Sequence, residues 1–370
     1  MHTTVTRTKI VKIIFLKGGF DMGKKSLSIQ SIFICLMFLL VTLLVSPVST
    51  LAQEPIKLKL SNGYPARHPM AVKGFGGWAK MVEERTNNAV KITLFPGNTL
   101  TKIKEAYDAT IAGVADIAMT VPGYAPGRFR LSPAVNLPMV FSSSTVASRV
   151  TWDLYKKFQA MRAEYSEVKV LFFYCTPPYE IHTVNKAINT SKDLKGQQIR
   201  ASDPISAKIL ENLGATPVAL SMPEAYMGLQ KGVLDGLVSP FGPMRGLKTA
   251  NVTKYHTVNA NLFTNVFAIV MNLKKWNSLS PQTQKVIDEV SGAAASERFG
   301  KMFDKLSVPD INYMKKQGDT FITLAPEEKK RWAAAILPLR DKWIKDRTAK
   351  GLPADKVVNE MIRLSESFSQ

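Results

Sequence analysis

Arg200 is the residue on which a chemical reading can be built. It sits near the end of a short strand-like run, Gln197 to Ala201, and Asp203-Pro204 follows almost at once. That pair opens a helix: Asp caps the first turn, and Pro tolerates the missing N–H there. Ligands of open α/β sheets bind beyond the carboxyl ends of the strands, where helix N-termini also point. A guanidinium at that edge is placed for an anion, because it is always charged and its planar fork matches a carboxylate. The ordinary role of an arginine is an exposed ion pair worth little, so position carries the argument.

Other chemistry is missing. There is no GxxxxGK[ST] run and no GxSxG elbow, and Gly74-Phe75-Gly76-Gly77 lies within a helical pattern rather than after a strand. His68, His182 and His256 are isolated and lack metal-ligand spacing. Cys175 is the sole cysteine after residue 52, which excludes an internal disulfide there and reads as a small buried hydrophobe. No two carboxylates form a convincing acid–base pair. Hence no catalytic residue, metal site or cofactor is expected.

The elements that position Arg200 occupy residues 192–236. Ile205, Ile209, Leu210 and Leu213 share one helix face, and Gly214 stops it. Thr216 to Leu220 reads as a buried parallel strand. Ser221 with Glu224 is a capping box for the next helix, Gly232 ends it, and Val233 to Val238 is a third strand. Residues 58–124 repeat the scheme. Strands are expected at Leu58–Asn62, Val90–Phe95 and Asp116–Met119, with helices at Pro69–Arg85 and Lys102–Ala112. This β-α-β-α-β order means a parallel sheet, so the fold class is α/β with two such units. Tyr64, Thr120, Val121 and Tyr124 lie near strand ends of the first unit and should face the second across a cleft. Val168–Cys175 and Tyr179–Val184 are further strands. Long helices are expected from Pro281 to about Leu306 and from Ala325 to Arg347, the latter with Trp332, Ala335, Ile336, Leu339 and Trp343 at core spacing.

Residues 1–52 read as a targeting segment. Lys24-Lys25 precedes an apolar run from Ile32 to Val45, too short for a comfortable membrane span, and Thr50-Leu51-Ala52 is a passable cleavage site. Lys17-Gly18-Gly19 can be encoded by a ribosome-binding sequence just ahead of the Met22 codon, so residues 1–21 read as translated leader. Residues 1–52 carry six basic residues and one acidic residue, so the formal charge falls from +20 to +15 without them. The remaining charges are interspersed, as in Lys80-Met81-Val82-Glu83-Glu84-Arg85, and no basic run interleaves with aromatics. Nucleic acid is therefore not an expected partner.

The 192–236 stretch closely resembles the extracytoplasmic solute receptors of tripartite ATP-independent periplasmic (TRAP) transporters. The resemblance rests on Asp193-Leu194-Lys195-Gly196, Ile199-Arg200, Leu213-Gly214-Ala215, Pro217-Val218, Glu224, Tyr226, Leu229-Gln230, Gly232 and Asp235-Gly236, with weaker matches from about Leu58 to the end. It implies a two-lobed periplasmic binding-protein fold, a ligand cleft between the lobes and long bracing helices. The expected division is 53–177 plus about 265–304 for the first lobe, and 178–264 plus about 305–370 for the second. It also implies a periplasmic, monomeric receptor that passes a small organic acid to integral membrane permease subunits.

The chain departs from the family pattern in places. Many members carry a second arginine where this chain has Glu180, an asparagine where it has Ser239, and a polar group where it has Val121. These changes suit one carboxylate on Arg200 with an apolar or aromatic remainder near Tyr64, Tyr124, Met222 and Phe241. Glu180 could hold the amino group of an amino-acid ligand, pair with Arg200 or point outward. The other function classes are a receptor for an ATP-driven importer or a sensor, and a periplasmic enzyme on the same scaffold.

Overall fold

The computed structural model describes residues 54–369 together with Met37; the targeting segment and leader expected over residues 1–52 otherwise lie outside the described residues. No described helix is long and apolar enough to cross a membrane. Eleven strands are described: β1 (Ile56–Ser61), β2 (Val90–Phe95), β3 (Ile117–Thr120), β4 (Val168–Cys175), β5 (Glu180–Thr183), β6 (Gln198–Ala201), β7 (Thr216–Ala219), β8 (Gly236–Ser239), β9 (Tyr255–Val258), β10 (Val266–Asn272) and β11 (Thr320–Thr323). They form two sheets, ordered β2-β1-β3-β10-β4 and β11-β9-β5-β8-β6-β7.

Each sheet contains the parallel triplet that the alternating helices require. In the first, β1 pairs in parallel with both β2 and β3. In the second, β6 pairs in parallel with both β7 and β8. Beside each triplet lies a strand delivered from the other lobe, and it runs antiparallel: β10 against β3, and β5 against β8. The chain changes sheet between Cys175 and Glu180 and returns between Val258 and Val266. These crossings place the C-terminal edges of both triplets opposite each other.

Several elements differ from the sequence reading for identifiable reasons. β7 is an edge strand with Thr216 and Ala219 exposed, not a buried one. Pro217 carried that information, since a strand proline is tolerated where no ladder N–H is needed. The expected helix at 69–85 begins as a π-turn, Met70–Phe75, in which the Gly76 N–H reaches Ala71, before α geometry resumes. The helix expected over 102–112 is confined to Ala106–Ile111. The long helix after Ser280 divides into Pro281–Val290 and Gly292–Lys316, with Gly292 at φ +57°. Pro338 likewise divides the next into Pro326–Ile336 and Pro338–Thr348.

That second break changes the lobe assignment. Trp332 and Ile336 join the core of the second sheet with Ile181, Ile199 and Val238. Trp343, Val357 and Met361 pack instead with Val170, Phe173, Val266 and Val270 in the first. Residues 343–368 therefore lie with the first lobe, although the sequence division put 305–370 with the second. The helix Gly292–Lys316 braces both lobes: Phe299 and Phe303 belong to the first core, while Met314 packs with Leu237 and Phe241 of the second.

The bracing helix is fixed against Ser144–Lys157 by close approach. Asp304 accepts from the Ser144 and Thr145 N–H groups (2.8 and 3.0 Å), capping that helix from outside. At Gly300 an added Cβ would stand 2.7 Å from Thr145 Cα and 2.9 Å from the Ser144 carbonyl oxygen. Backbone cannot yield as a flexible side chain can, so Gly300→Ala should cost about 1–3 kcal/mol in urea unfolding, whereas Gly77→Ala, which meets nothing within 4 Å, should leave packing undisturbed.

Candidate functional site

The carboxyl ends of the two parallel triplets meet around a narrow cavity of about 50 Å³. Space of that kind holds a few water molecules, so a larger occupant enters only as the lobes part or side chains move. Tyr64, Met119, Tyr124 and Phe267 line it from the first lobe, and Tyr179, Met222 and Ser239 from the second. Phe303 of the bracing helix closes one side. Among the described residues, no Lys, Arg, Asp or Glu is in the lining.

Arg200 lies just behind this wall, 1% exposed. Neighbouring strands hold it: Nε donates to the Leu220 carbonyl after β7 (2.8 Å), and Nη1 to the Val238 carbonyl in β8 (3.4 Å). Nη2 reaches the Tyr124 hydroxyl from the opposite lobe at 3.4 Å. The guanidinium has five N–H donors, and it makes no ion pair among the described residues. Asp203 is nearby, but its carboxylate is engaged by the Ile205 and Ser206 N–H groups (2.9 and 3.0 Å), as the sequence expectation of a helix cap requires.

The second helix start is also as expected. Ser221 and Glu224 form the reciprocal capping box of Met222–Gln230. Bonds from Ser221 and the ammonium of Lys104, 3.1 Å away on the first lobe, hold the Glu224 carboxylate down at about 2. The Met222 N–H points at the Tyr124 hydroxyl, 3.4 Å away. Tyr124 therefore faces two donors of the second lobe at once. Asn136 adds a further bridge between lobes through Asp203 (3.3 Å).

Of the residues singled out from sequence, Tyr64, Tyr124, Met222 and Ser239 line the cavity, and Arg200 adjoins it. Glu180, Val121 and Phe241 do not line it. Glu180 neither pairs with Arg200 nor points outward: its carboxylate accepts from the Ala260 N–H (2.8 Å) and the Asn261 N–H (3.4 Å). It thereby anchors a turn in which Asn259 and Asn261 have φ of 68° and 50°. Phe241 stacks on Phe321 at 5.9 Å and meets His182 edge-on. Val121 is buried at the entry to the 122–124 turn.

Sequence reasoning missed Tyr179, Phe267 and Asn265 as wall residues. Their signal was their place at the sheet crossings, where Thr176 and Asn265 bond one another's backbone at 2.9 Å. It also treated the histidines as isolated. His182 and His256 approach to 2.9 Å through their Nδ1 atoms, and His256 Nε2 lies 3.3 Å from Asp319. His182 Nε2 lies 3.0 Å from the Ser239 carbonyl, so this buried chain buttresses the cavity wall. Burial lowers the pKa of both rings. Among the described residues no group of three or more His, Cys, Asp or Glu could hold a metal ion. Cys175 is buried, with its thiol pushed up to about 12.

Two α/β lobes joined by repeated crossings, with a cavity between their strand ends, define a two-lobed solute-binding receptor. The profile of the bacterial extracellular solute-binding proteins, family 7 (DctP), matches residues 61–346, and the chain belongs to that family, the solute-binding proteins of TRAP transporters. It is 25% identical over 309 residues to the C4-dicarboxylate-binding periplasmic protein DctP of Rhodobacter capsulatus, covering 82% of this chain and 91% of that one. A marine metagenome TRAP solute-binding protein specific for aromatic acid ligands, solved with 3-hydroxybenzoate, is 31% identical with a TM-score of 0.82, covering 85% of this chain and 99% of that one. A TRAP periplasmic solute-binding protein of Desulfovibrio salexigens, solved open with the C-terminus of a symmetry mate in its ligand site, is 34% identical with a TM-score of 0.74, covering 85% and 96%. Members of the family are periplasmic receptors rather than enzymes; they bind small organic acids and work with membrane permease subunits.

Burial pushes the Glu180 carboxyl up to about 8, against the pull of the 260–261 amides. The folded state then holds a proton that the unfolded chain releases near about pH 4.3. This contribution is full below the unfolded value and is lost as pH rises through the folded one. Stability in urea should therefore decline between about pH 5 and 8, and Glu180→Gln, which has no proton to lose, should flatten that decline.

Proposed function

We propose that the chain captures an aromatic or otherwise apolar monocarboxylate, with Arg200 taking the carboxylate, and delivers it to a TRAP permease. It acts as a periplasmic monomer exported by its N-terminal segment. The observation that carries this reading is a buried guanidinium without an ionic partner among the described residues, set behind an aromatic, uncharged cavity. A buried charge is costly unless paired and hydrogen-bonded, so the site favours an anion. A second acid group on the ligand would meet no cation in the lining. An amino group would not meet Glu180, which is committed to the 260–261 turn. The relative specific for aromatic acid ligands supports the same class.

Capture proceeds without chemistry. The acid enters the open cleft; its carboxylate takes the free N–H groups of Arg200 and the Met222 N–H at the helix start, where the dipole favours negative charge. Tyr64, Phe267 and Tyr179 cover the apolar remainder, and the lobes close by hinge motion.

Thermal unfolding with benzoate, 3-hydroxybenzoate, mandelate, succinate and amino acids tests the class. Aromatic monoacids should stabilise, by about 2.7 kcal/mol at 100 times their dissociation constant; stabilisation by succinate alone would sink the reading. Arg200→Gln should weaken binding of the same acids by about 3–5 kcal/mol while the variant remains folded by circular dichroism.

A further inference from the structure

Antiparallel pairing of β5 with β9 sets His182 opposite His256. The two rings and Asp319 form a row of contacts that ends at the solute cavity. His182 Nε2 lies 3.0 Å from the Ser239 carbonyl oxygen, the two Nδ1 atoms lie 2.9 Å apart, and His256 Nε2 lies 3.3 Å from the Asp319 carboxylate. Ser239 lines the cavity. At the far end, exposed Lys254 holds the other Asp319 oxygen at 3.0 Å. Both rings and the Asp319 side chain are fully buried.

Each of these three contacts is a hydrogen bond only if a hydrogen lies within it, and neither a carbonyl nor a carboxylate oxygen supplies one. A neutral imidazole carries one N–H. Two neutral rings therefore bring two hydrogens to three contacts, whichever tautomers they adopt. The carbonyl takes one from His182, and the carboxylate takes the other from His256, as a charge-assisted bond. The lone pairs of the two Nδ1 atoms are then left facing each other at 2.9 Å. Buried polar groups left unbonded are costly. One further proton, shared between the rings, completes the row.

Neighbouring groups decide when that proton is taken up. Burial opposes a charge on His256, Asp319 favours it, and the Lys254 ammonium opposes it. Burial and the facing ring oppose a charge on His182. The other close contacts of the rings are aromatic. Phe241 meets His182 edge-on and Phe321 of β11 lies against His256, each with ring centroids 4.9 Å apart. Lys315 of the bracing helix stands beyond Phe321, 5.5 Å from its ring centre. Glu180 of β5 turns away to the 260–261 amides. Uptake therefore falls on the acid side of the ordinary imidazole range, and it belongs to the three coupled groups rather than to one ring.

We propose that His182, His256 and Asp319 bind one proton between them as pH falls, shared by the two Nδ1 atoms, and that its uptake tightens the cavity wall at Ser239. A charged imidazole is a stronger donor than a neutral one, so His182 then holds the Ser239 carbonyl more firmly. Arg200 holds the adjacent Val238 carbonyl at 3.4 Å. Two successive carbonyls of β8 are thus fixed, one by a permanent charge and one by a charge that depends on pH. The consequence for solute rests on the proposed function: the receptor binds its acid more tightly in acid, and by linkage binding draws a proton in.

Nuclear magnetic resonance of the isotope-labelled mature protein, titrated without solute from about pH 8 to 4, tests this. His68 is the only other histidine after residue 52. Glu180 lies opposite Ser239 in the β5–β8 pair and its carboxyl is pushed up to about 8, so the titration is run in Glu180→Gln. A scalar coupling between the two Nδ1 nuclei, which needs a hydrogen bond between them, should appear as pH falls. Both imidazoles and the Ser239 carbonyl carbon should shift with one common midpoint. Asp319→Asn supplies an amide N–H to His256 Nε2, so three hydrogens then fill the three contacts with no added charge. That variant should show the coupling at every pH and a Ser239 carbonyl that no longer shifts. Coupling absent or unchanged across the wild-type titration, rings that titrate separately, a Ser239 carbonyl that stays still, or wild-type pH dependence in Asp319→Asn overturns the proposal. None of these readouts uses a solute, so they stand apart from the role of Arg200.

Discussion

A permanently charged side chain buried with no ion-pair partner among the described residues, Asp203 standing nearby but engaged elsewhere, is the constraint from which the rest of this structure follows. Arg200 cannot shed its proton, as a buried lysine could, so its cost must be met by hydrogen bonds or by a ligand. The sheet supplies two carbonyl acceptors, from Leu220 and Val238. Val238 belongs to β8 and Leu220 directly follows β7, the two strands flanking β6, and the parallel triplet thus aims the side chain as well as carrying it. Neutral acceptors only partly offset the desolvation of a cation. On the proposed function, the remaining deficit is an affinity for anions stored in the fold.

That affinity is useful only if the anion can come and go, and the topology provides for this. Arg200 and the helix start at Met222 sit on one lobe; Tyr64, Tyr124 and Phe267 sit on the other. The strands that leave one sheet for the other, the Gly292–Lys316 helix and the broken helical run 326–348 join the two cores. Opening the lobes therefore exposes the cavity without dismantling either sheet.

How much of this was legible in the chain varied with the physics involved. Local chemistry was readable: Asp203 and Ser221 cap the helices they precede because short polar side chains satisfy nearby N–H groups wherever they occur. Arg200 was readable because a strand, a cap and a helix in succession fix its distance from a sheet edge. Glu180 was not, since strand alternation gives two faces and only the turn at 259–261, far along the chain, decides which amides its carboxylate meets. The same limit hid the approach of His182 to His256, which antiparallel pairing of β5 with β9 brings opposite one another. Breaks at Ser291 and Pro338 depend on a left-handed glycine and a proline within runs whose apolar periodicity continues across them. Periodicity reports the buried face, and here it passed from one core to another without interruption.

The contacts between the lobes also set what kind of acid can be distinguished. Tyr124 bridges Arg200 and the Met222 N–H, Asn136 bridges to Asp203, and Lys104 to Glu224. A ligand shifts the lobes toward closure only by the contacts it makes better in the closed form than in the open one. Under the proposed capture by Arg200, the ligand's carboxylate competes there with a neutral phenol oxygen held at 3.4 Å, a long hydrogen bond. Charge-assisted bonds are roughly twice as strong as neutral ones, so any carboxylate wins that exchange. What the exchange cannot do is tell one carboxylate from another. Under the same proposal, discrimination falls to the tight, uncharged aromatic wall, where each polar group a wrong acid brings in is stripped of water and left without a partner.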